Sequence, residues 1–303
     1  METQVIIKIF LFLSLSSFVA SHAALSAPIE AYWKSELPST PMPQAVKESL
    51  PKAAGTVVST GRNFGQLVKR EPFFYKYAAT EDELHNSPFA ALYFKGDAFH
   101  KGNTINLQFM KATNEDVFLP RTEAEKIPFS SHEMAQILNR FSLKPNSEEA
   151  QLMKQTLESC EEPPIKGEEK YCATSLEAMV DFSKSNLGKK VGLITTETGG
   201  ETSKQDYTIS SIKTMQNKDL AVVCHKMNYA YAVFNCHKIA STEVYMVSLV
   251  GANGAKVKAA AVCHKDTLAF NPENFVFKVL NVKPGTVPVC HFLPEDHIVW
   301  IAN

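Results

Sequence analysis

Four of the six cysteines are followed directly by a histidine, so two metal-binding residue types recur together along the chain. Successive pairs are separated by 10, 25 and 25 residues: Cys224-His225, Cys236-His237, Cys263-His264 and Cys290-His291. With 9 histidines in 303 residues, chance would place a histidine after only roughly 3% of cysteines. The four pairs therefore reflect a requirement of the fold or of the function, not the composition.

Strand geometry gives the dipeptide a physical meaning, because successive side chains of a β-strand point to opposite faces. If each pair lies on or at the end of a strand, the four cysteines can face one side and the four histidines the other. Val223 and Val262 directly precede two of the cysteines, and apolar surroundings suit disulfides. We therefore expect the histidines to converge at a separate place, near the ends of strands.

Converging neutral imidazoles bind copper, zinc, nickel or iron, and a set without carboxylates favours copper or zinc over magnesium or calcium. Cysteines held in disulfides cannot act as thiolate ligands, and the short spacings of a Cys2His2 zinc site are absent. The competing interpretation is a disulfide scaffold in which the histidines are incidental neighbours. The residue types alone leave both interpretations open.

Cys160 and Cys172 are the two cysteines outside the pairs. A helical pattern ends near Cys160, and the following Glu-Glu-Pro-Pro segment turns the chain. A local disulfide between these two cysteines would close a short loop and contribute up to roughly 3 kcal/mol. The partners of the other four remain open, because connectivity cannot be deduced from the sequence.

Residues 1–23 have the pattern of a secretory signal peptide. A short apolar run precedes Ser21-His22-Ala23, whose small residues are typical of a cleavage site. The run is about a dozen residues long, whereas a membrane span needs roughly 20. We expect cleavage after Ala23, no membrane association of the mature protein, and an oxidising compartment in which disulfides persist.

The rest of the chain predicts a linker followed by one domain. Residues 24–72 contain several prolines and few large apolar side chains, which indicates a flexible linker, with docking of Tyr32-Trp33 as the alternative. Residues 73–303 predict one α+β domain with a mainly antiparallel sheet, since helical patterns precede strand patterns. The predicted helix N-caps are Ser130, Asn146 and Thr174. The predicted strands are residues 191–196, 207–212, 220–225, 230–237, 243–249, 257–264, 275–280 and 297–302.

Composition and missing motifs exclude several classes of function. The net charge of -1 argues against a strongly basic nucleic-acid-binding protein. The chain has no phosphate-binding glycine loop and no nucleophile elbow, so we assign no catalytic residue. The histidines outside the pairs are expected on the surface or on helices: His85, His100, His132 and His297.

The Cys-His pairs and several short motifs together resemble the plant BURP domain. The motifs are Pro-Phe-Phe at 72–74, Tyr-Cys-Ala-Thr-Ser-Leu-Glu at 171–177, Tyr-Ala-Val-Phe at 231–234, Cys-His-Lys-Asp-Thr at 263–267 and Pro-Val-Cys-His-Phe at 288–292. Tyr-Trp-Lys at 32–34 also resembles the segment that follows the signal peptide in this family. The resemblance extends over most of the chain.

This resemblance implies a plant protein of the secretory route, in the cell wall or apoplast or in a vacuole, with a role in seed development or in drought and salt responses. One branch of the family is the non-catalytic subunit of polygalacturonase, which makes a cell-wall polysaccharide or polygalacturonase an expected partner. Other members are copper-dependent cyclases that join a Tyr or Trp side chain to another residue of a peptide precursor. Their expected copper ligands correspond here to His225, His237, His264 and His291, and zinc is the alternative metal.

The sequence departs from a cyclase that acts on itself. Residues 24–72 hold no internal repeat, and no Tyr or Trp lies between Tyr93 and Tyr171. We therefore expect a protein that does not cyclise itself, and action in trans on a separate peptide precursor stays open.

Three further residues are candidates for supporting the site. Tyr231 could lie near the metal or pack within a strand, while Asp266 and Thr267 could support a ligand or form a turn. If histidines bind the metal, its affinity is expected to fall as the pH drops through roughly 6, because protonated imidazole cannot act as a ligand.

Overall fold

The computed structural model describes residues 26–51, 90–109, 116–199, 203–216 and 220–303. The predicted signal peptide lies outside the described residues, as does part of the predicted linker. The helices are α1 (26–36), α2 (Gln44–Glu48), α3 (Arg121–Ala124), α4 (Met134–Arg140), α5 (Glu148–Glu161), α6 (Leu176–Leu187) and α7 (Phe275–Leu280). Short 3-10 helices span Ala90–Leu92, Gly96–Ala98 and Ser131–Glu133. In the part of the chain that the structure describes, no helix is long and apolar enough to cross a membrane.

The strands form two antiparallel sheets. Sheet 1 has the order β1-β10-β9-β8-β5-β2 and sheet 2 the order β3-β7-β6-β11-β4. The strands are β1 (Tyr93–Lys95), β2 (Thr104–Leu107), β3 (Glu168–Ala173), β4 (Val191–Ile194), β5 (Gln205–Gln216), β6 (Ala221–Met227), β7 (Val233–Ile239), β8 (Thr242–Gly251), β9 (Lys256–His264), β10 (Val289–Phe292) and β11 (Ile298–Ala302). Helices α1 to α6 precede β4 and the strands that follow it, and the α+β class with antiparallel sheets is confirmed.

The two sheets face each other across an apolar layer. Val223 and Val299 of sheet 2 belong to the same buried cluster as Ala260 and Val262 of sheet 1. The outer face of sheet 2 packs against α6 and α1, and the outer face of sheet 1 is covered by a second cluster that contains Phe109. Burying apolar surface on both faces gives each sheet a fixed register, because a slip of one residue would exchange its inner and outer side chains.

The long helices begin at serines that cap them. Ser147 accepts a hydrogen bond from the backbone N–H of Ala150 at the start of α5, and Ser175 accepts one from Ala178 at the start of α6. The predicted caps Asn146 and Thr174 are each one residue too early, since two neighbouring residues of suitable type compete for the cap. Helix α6 ends at Gly188, whose φ of 91° favours glycine, as the sequence predicts.

One predicted strand is wrong, because residues 275–280 form helix α7. The alternation of Phe, Val and Phe is typical of a strand. However, the side chain of Asn274 accepts a hydrogen bond from the backbone N–H of Val276 and caps a short helix. Phe275, Val276 and Phe277 are all buried in this helix, so a six-residue segment with five apolar residues did not distinguish the two structures.

The described part of the predicted linker is docked on the domain. Ile29 and Trp33 of α1 and Val46 of α2 are buried in the cluster under sheet 2. The ring centroid of Trp33 lies 5.9 Å from that of Trp300 in β11. Residues 26–51 therefore pack on the domain as the docking alternative describes, with the Trp33 indole and several aliphatic side chains buried in one cluster. Residues 52–72 lie outside the described residues.

Candidate metal centre

The four Cys-His pairs lie on paired strands of the two sheets. Cys224 of β6 is directly opposite Cys236 of β7, and Cys263 of β9 is directly opposite Cys290 of β10. Each opposing pair forms a disulfide, with Cα–Cα distances of 3.9 Å and 4.0 Å. The predicted Cys160–Cys172 disulfide is also present, so all six cysteines are bonded.

Both cross-strand disulfides face away from the space between the sheets. Cys224 and Cys236 belong to the cluster beneath α6, and Cys263 and Cys290 belong to the outer cluster of sheet 1. The alternation of strand side chains then turns the following histidines towards the opposite sheet. The geometric expectation from the dipeptide, with cysteines on one face and histidines on the other, agrees with these positions.

The four histidines form one buried cluster between the sheets. His225 and His237 come from sheet 2, whereas His264 and His291 come from sheet 1. Ring centroids are 5.1 Å apart for His225–His237, 5.8 Å for His225–His291, 5.7 Å for His264–His291 and 6.3 Å for His237–His264. Each of the four residues is at most 4% exposed. The structure thus brings together residues that are up to 66 positions apart in the chain, from 225 to 291.

A fifth histidine joins this cluster, and sequence reasoning missed it. The ring centroid of His297 lies 5.0 Å from that of His225, and their Nδ1 atoms are 3.0 Å apart. The prediction of a surface or helix position for His297 is wrong, since the residue is 2% exposed. Ile298 pairs with Cys224, so the next step of this antiparallel register places His297 beside His225. The signal in the sequence that could have indicated this buried position was the apolar run that follows His297.

Hydrogen bonds hold several of the imidazoles in place. His237 contacts the Glu168 carboxylate, with 2.9 Å between Nδ1 and Oε1. His264 Nδ1 is 3.1 Å from the Thr242 hydroxyl. The Nε2 atoms of His225 and His237 are 3.2 Å apart. Glu168 and Thr242 support the cluster without having been predicted, because neither has a repeated spacing in the sequence.

Burial favours the neutral form of three of these imidazoles. It lowers the pKa of His225 and of His264 well below the ordinary value, and neighbouring histidines act in the same direction. Burial also lowers the pKa of His291 to about 3. Neutral imidazole is the form that binds transition metals, so proton competition at these three rings is expected only at a lower pH than the sequence suggested.

The walls of the cluster are aromatic on one side and polar on another. The ring centroid of Tyr93 lies 5.5 Å from that of His291, and the centroid of Phe270 lies 5.4 Å from that of His264. Phe270 and Glu168 also line a small cleft that is open to solvent. The cleft is further lined by Asn235, which is 2% exposed and whose Oδ1 has no hydrogen-bond partner among the described residues.

The three predicted supporting residues make the following contacts in the fold. Tyr231 packs in the cluster beneath α4 and α5, 5.2 Å from Tyr229 between ring centroids. Asp266 accepts a hydrogen bond from the backbone N–H of Leu268. Thr267 accepts one from Gly285. Asp266 and Thr267 therefore form the turn that leads to Phe270, which matches one of the two alternatives for each.

Some imidazole nitrogens are engaged with one another, as between His225 and His237 and between His225 and His297. Among the described residues, no group of three or more His, Cys, Asp or Glu side chains is arranged to hold a metal ion directly. A shared metal ion would have to replace hydrogen bonds such as that between the Nε2 atoms of His225 and His237. The donor set itself, neutral imidazoles in a buried site, is chemically suited to copper or zinc.

Comparison with known proteins shows similarity over most of the chain. A family model described as the BURP domain matches residues 92–302. BURP domain-containing protein 3 of Oryza sativa subsp. japonica is 51% identical over 234 residues, which cover 76% of this chain and 54% of that protein. BURP domain protein RD22 of Arabidopsis thaliana is 51% identical over 238 residues, covering 76% and 60%. BURP domain-containing protein 5 of Oryza sativa subsp. japonica is 42% identical over 288 residues, covering 92% and 88%. The chain thus spans little more than half the length of the first two relatives.

Proposed function

Because this chain belongs to the BURP-domain family, we propose that it is a secreted plant protein that binds copper through His225, His237, His264 and His291. The observation that carries this proposal is the convergence of these four histidines, from two different sheets, within one buried cluster. Copper bound by imidazole would supply one-electron oxidation chemistry. Zinc remains the alternative metal.

The cellular role follows from the family and from the chemistry of the cysteines. Three disulfides that include every cysteine favour an oxidising compartment. We therefore place the protein in the secretory pathway, at the cell wall or in a vacuole. Its proposed role lies in seed development or in the response to abiotic stress, without cyclisation of its own chain.

Copper titration tests the site. Purified protein is expected to bind Cu(II), and a variant with alanine at His225, His237, His264 and His291 is expected to lose that binding. The double variant His100→Ala/His132→Ala is the matched control, because both of these histidines are exposed and lie outside the cluster. Equal copper stoichiometry in the cluster variant and the native protein would contradict the proposal.

Since burial lowers the pKa of three of the ligands, we expect the copper affinity to change little between pH 7 and pH 5.

A cyclase that acts in trans is the second candidate function. The cleft lined by Glu168 and Phe270 favours it, because it is open to solvent and both residues contact rings of the cluster. Copper-loaded protein incubated with peptides that contain Tyr or Trp is expected to yield a product lighter by two hydrogens, in which one N–H or O–H and one ring C–H have been replaced by a crosslink, with dioxygen as the electron acceptor. Unchanged peptide masses, from protein shown to hold copper, would exclude this activity for the peptides tested.

A further inference from the structure

Glu168 places a carboxylate against the histidine cluster, where it also lines the adjoining cleft. Its side chain is 10% exposed. Oε1 lies 2.9 Å from Nδ1 of His237, and Oε2 accepts a hydrogen bond from the backbone N–H of Ile165 at 3.0 Å. Both carboxylate oxygens are therefore held, which fixes the direction from which the group meets His237.

The fold holds Glu168 in this place from two sides. Glu168 begins β3 directly after Gly167, whose φ of 85° turns the chain, and it pairs with Ile239 of β7. Two residues further, Lys170 donates hydrogen bonds to the backbone carbonyls of Ser159 and Glu162 at the end of α5. The Cys160–Cys172 disulfide joins the same helix to the same strand. The Glu168 carboxylate therefore lies on a strand that is fixed by hydrogen bonds and a disulfide, and not on a free loop.

Three hydrogen-bond distances connect Glu168 to the most deeply buried rings. They are 2.9 Å from Glu168 to His237, 3.2 Å from His237 to His225, and 3.0 Å from His225 to His297. A neutral imidazole carries one N–H donor and one acceptor nitrogen, and an ionised carboxylate can only accept. The carboxylate at one end of this series of hydrogen bonds therefore sets which nitrogen of each ring carries the proton.

We infer that Glu168 is a positioning residue that sets the tautomers of His237, His225 and His297. His237 must donate from Nδ1 to the carboxylate, which leaves its Nε2 as an acceptor. His225 then donates from Nε2 and accepts at Nδ1, and His297 donates from Nδ1. Oε1 faces His237 and Oε2 accepts the backbone N–H of Ile165, so both oxygens act as acceptors, as this order requires.

This order has a consequence for the proposed copper site. The ring nitrogen of a metal-binding histidine is selected by the hydrogen bond at its other nitrogen. Glu168 would direct Nε2 of His237 into the cluster, whereas His225 presents an N–H there and must give up or move this proton to become a ligand. This effect on copper binding rests on the proposed function. The tautomers themselves are a property of the protein without metal.

Nitrogen-15 NMR of histidine-labelled, metal-free protein tests the inference. The expected tautomers are Nδ1–H for His237, Nε2–H for His225 and Nδ1–H for His297. In Glu168→Leu, which removes the acceptor at similar volume, His237 is expected to show a measurable Nε2–H population. Glu169→Leu is the matched control, because Glu169 is the next residue on β3 and its side chain is 65% exposed. It should leave the three tautomers unchanged.

Two results would overturn the inference: a native His237 that carries its proton on Nε2 or on both nitrogens, or the same single tautomer in native protein and Glu168→Leu. If Glu168→Leu does not fold, Glu168→Gln replaces it, since an amide can donate as well as accept and should also give mixed tautomers. In a separate titration, Glu168→Leu is expected to bind Cu(II) about 10- to 100-fold more weakly than Glu169→Leu. Native protein that binds no copper would refute the proposed function and leave the tautomer result standing.

Discussion

The metal-free protein is expected to lose about 5 kcal/mol of folding free energy through His291 alone as the pH falls from 6.5 to 3. Burial lowers the pKa of this imidazole to about 3 in the folded protein, whereas an unfolded chain has the ordinary value of about 6.5. Between these values the unfolded state binds a proton that the folded state does not. The stabilising contribution is therefore complete above pH 6.5 and is lost as the pH falls, at about 1.4 kcal/mol per unit.

Other groups of the cluster act in the same direction. The pKa of His225 and of His264 is also lowered by burial, so each adds to the slope over its own range. The pKa of Glu168 is lowered by the hydrogen bond from His237 against the effect of burial. Its carboxylate contributes stability that is lost only when the pH falls below the ordinary carboxyl pKa, which adds to the loss at the acid end.

Denaturant unfolding in the presence of a chelator, at several values between pH 7 and pH 4, measures this effect. His291→Leu should show a shallower dependence on pH, because one titrating group has been removed. His132→Gln should leave the dependence unchanged, since His132 is exposed. A free energy of unfolding that stays constant between pH 7 and pH 4 would show that the folded cluster accepts protons, contrary to its burial.

The part of the site that the sequence predicts is the part that depends on local geometry. Alternation along a strand is a property of neighbouring residues, so each Cys-His dipeptide alone indicates that the two side chains separate onto opposite faces. His297 and Glu168 join the cluster through pairings with distant strands, β11 with β6 and β3 with β7. Those registers depend on the whole fold, and neither residue belongs to a repeated motif that could have indicated them.

The fold shows the same division between local and distant information. Helix caps and the glycine at the end of α6 were found to within one residue, because a cap depends on a few neighbouring groups. Helix α7 was missed, since a short segment with five apolar residues out of six fits a strand as well as a helix. The docking of Trp33 against Trp300 joins the two ends of the chain, and composition could not show whether that contact forms.

Removal of the Cys224–Cys236 disulfide by substitution of both cysteines with alanine is expected to cost about 4–5 kcal/mol. The bridge joins residues 12 positions apart, and closing a loop of this size contributes about 3 kcal/mol in the chain-entropy model. Both cysteines are 0% exposed, so the loss of two sulfur atoms also leaves a cavity in the core beneath α6. The paired strands that carry His225 and His237 would remain, but their separation would no longer be fixed by a covalent bond.

The Cys160–Cys172 bridge offers a matched control within the same chain. It also joins residues 12 positions apart, so its loop-closure contribution should be the same, about 3 kcal/mol. Its cysteines are only partly buried, and their replacement by alanine creates little cavity. Denaturant unfolding of the two double variants at pH 7 should therefore show a larger loss for Cys224→Ala/Cys236→Ala. Equal losses would mean that the buried site relaxes to fill the space, and a loss below about 1 kcal/mol in both would contradict the entropic contribution itself.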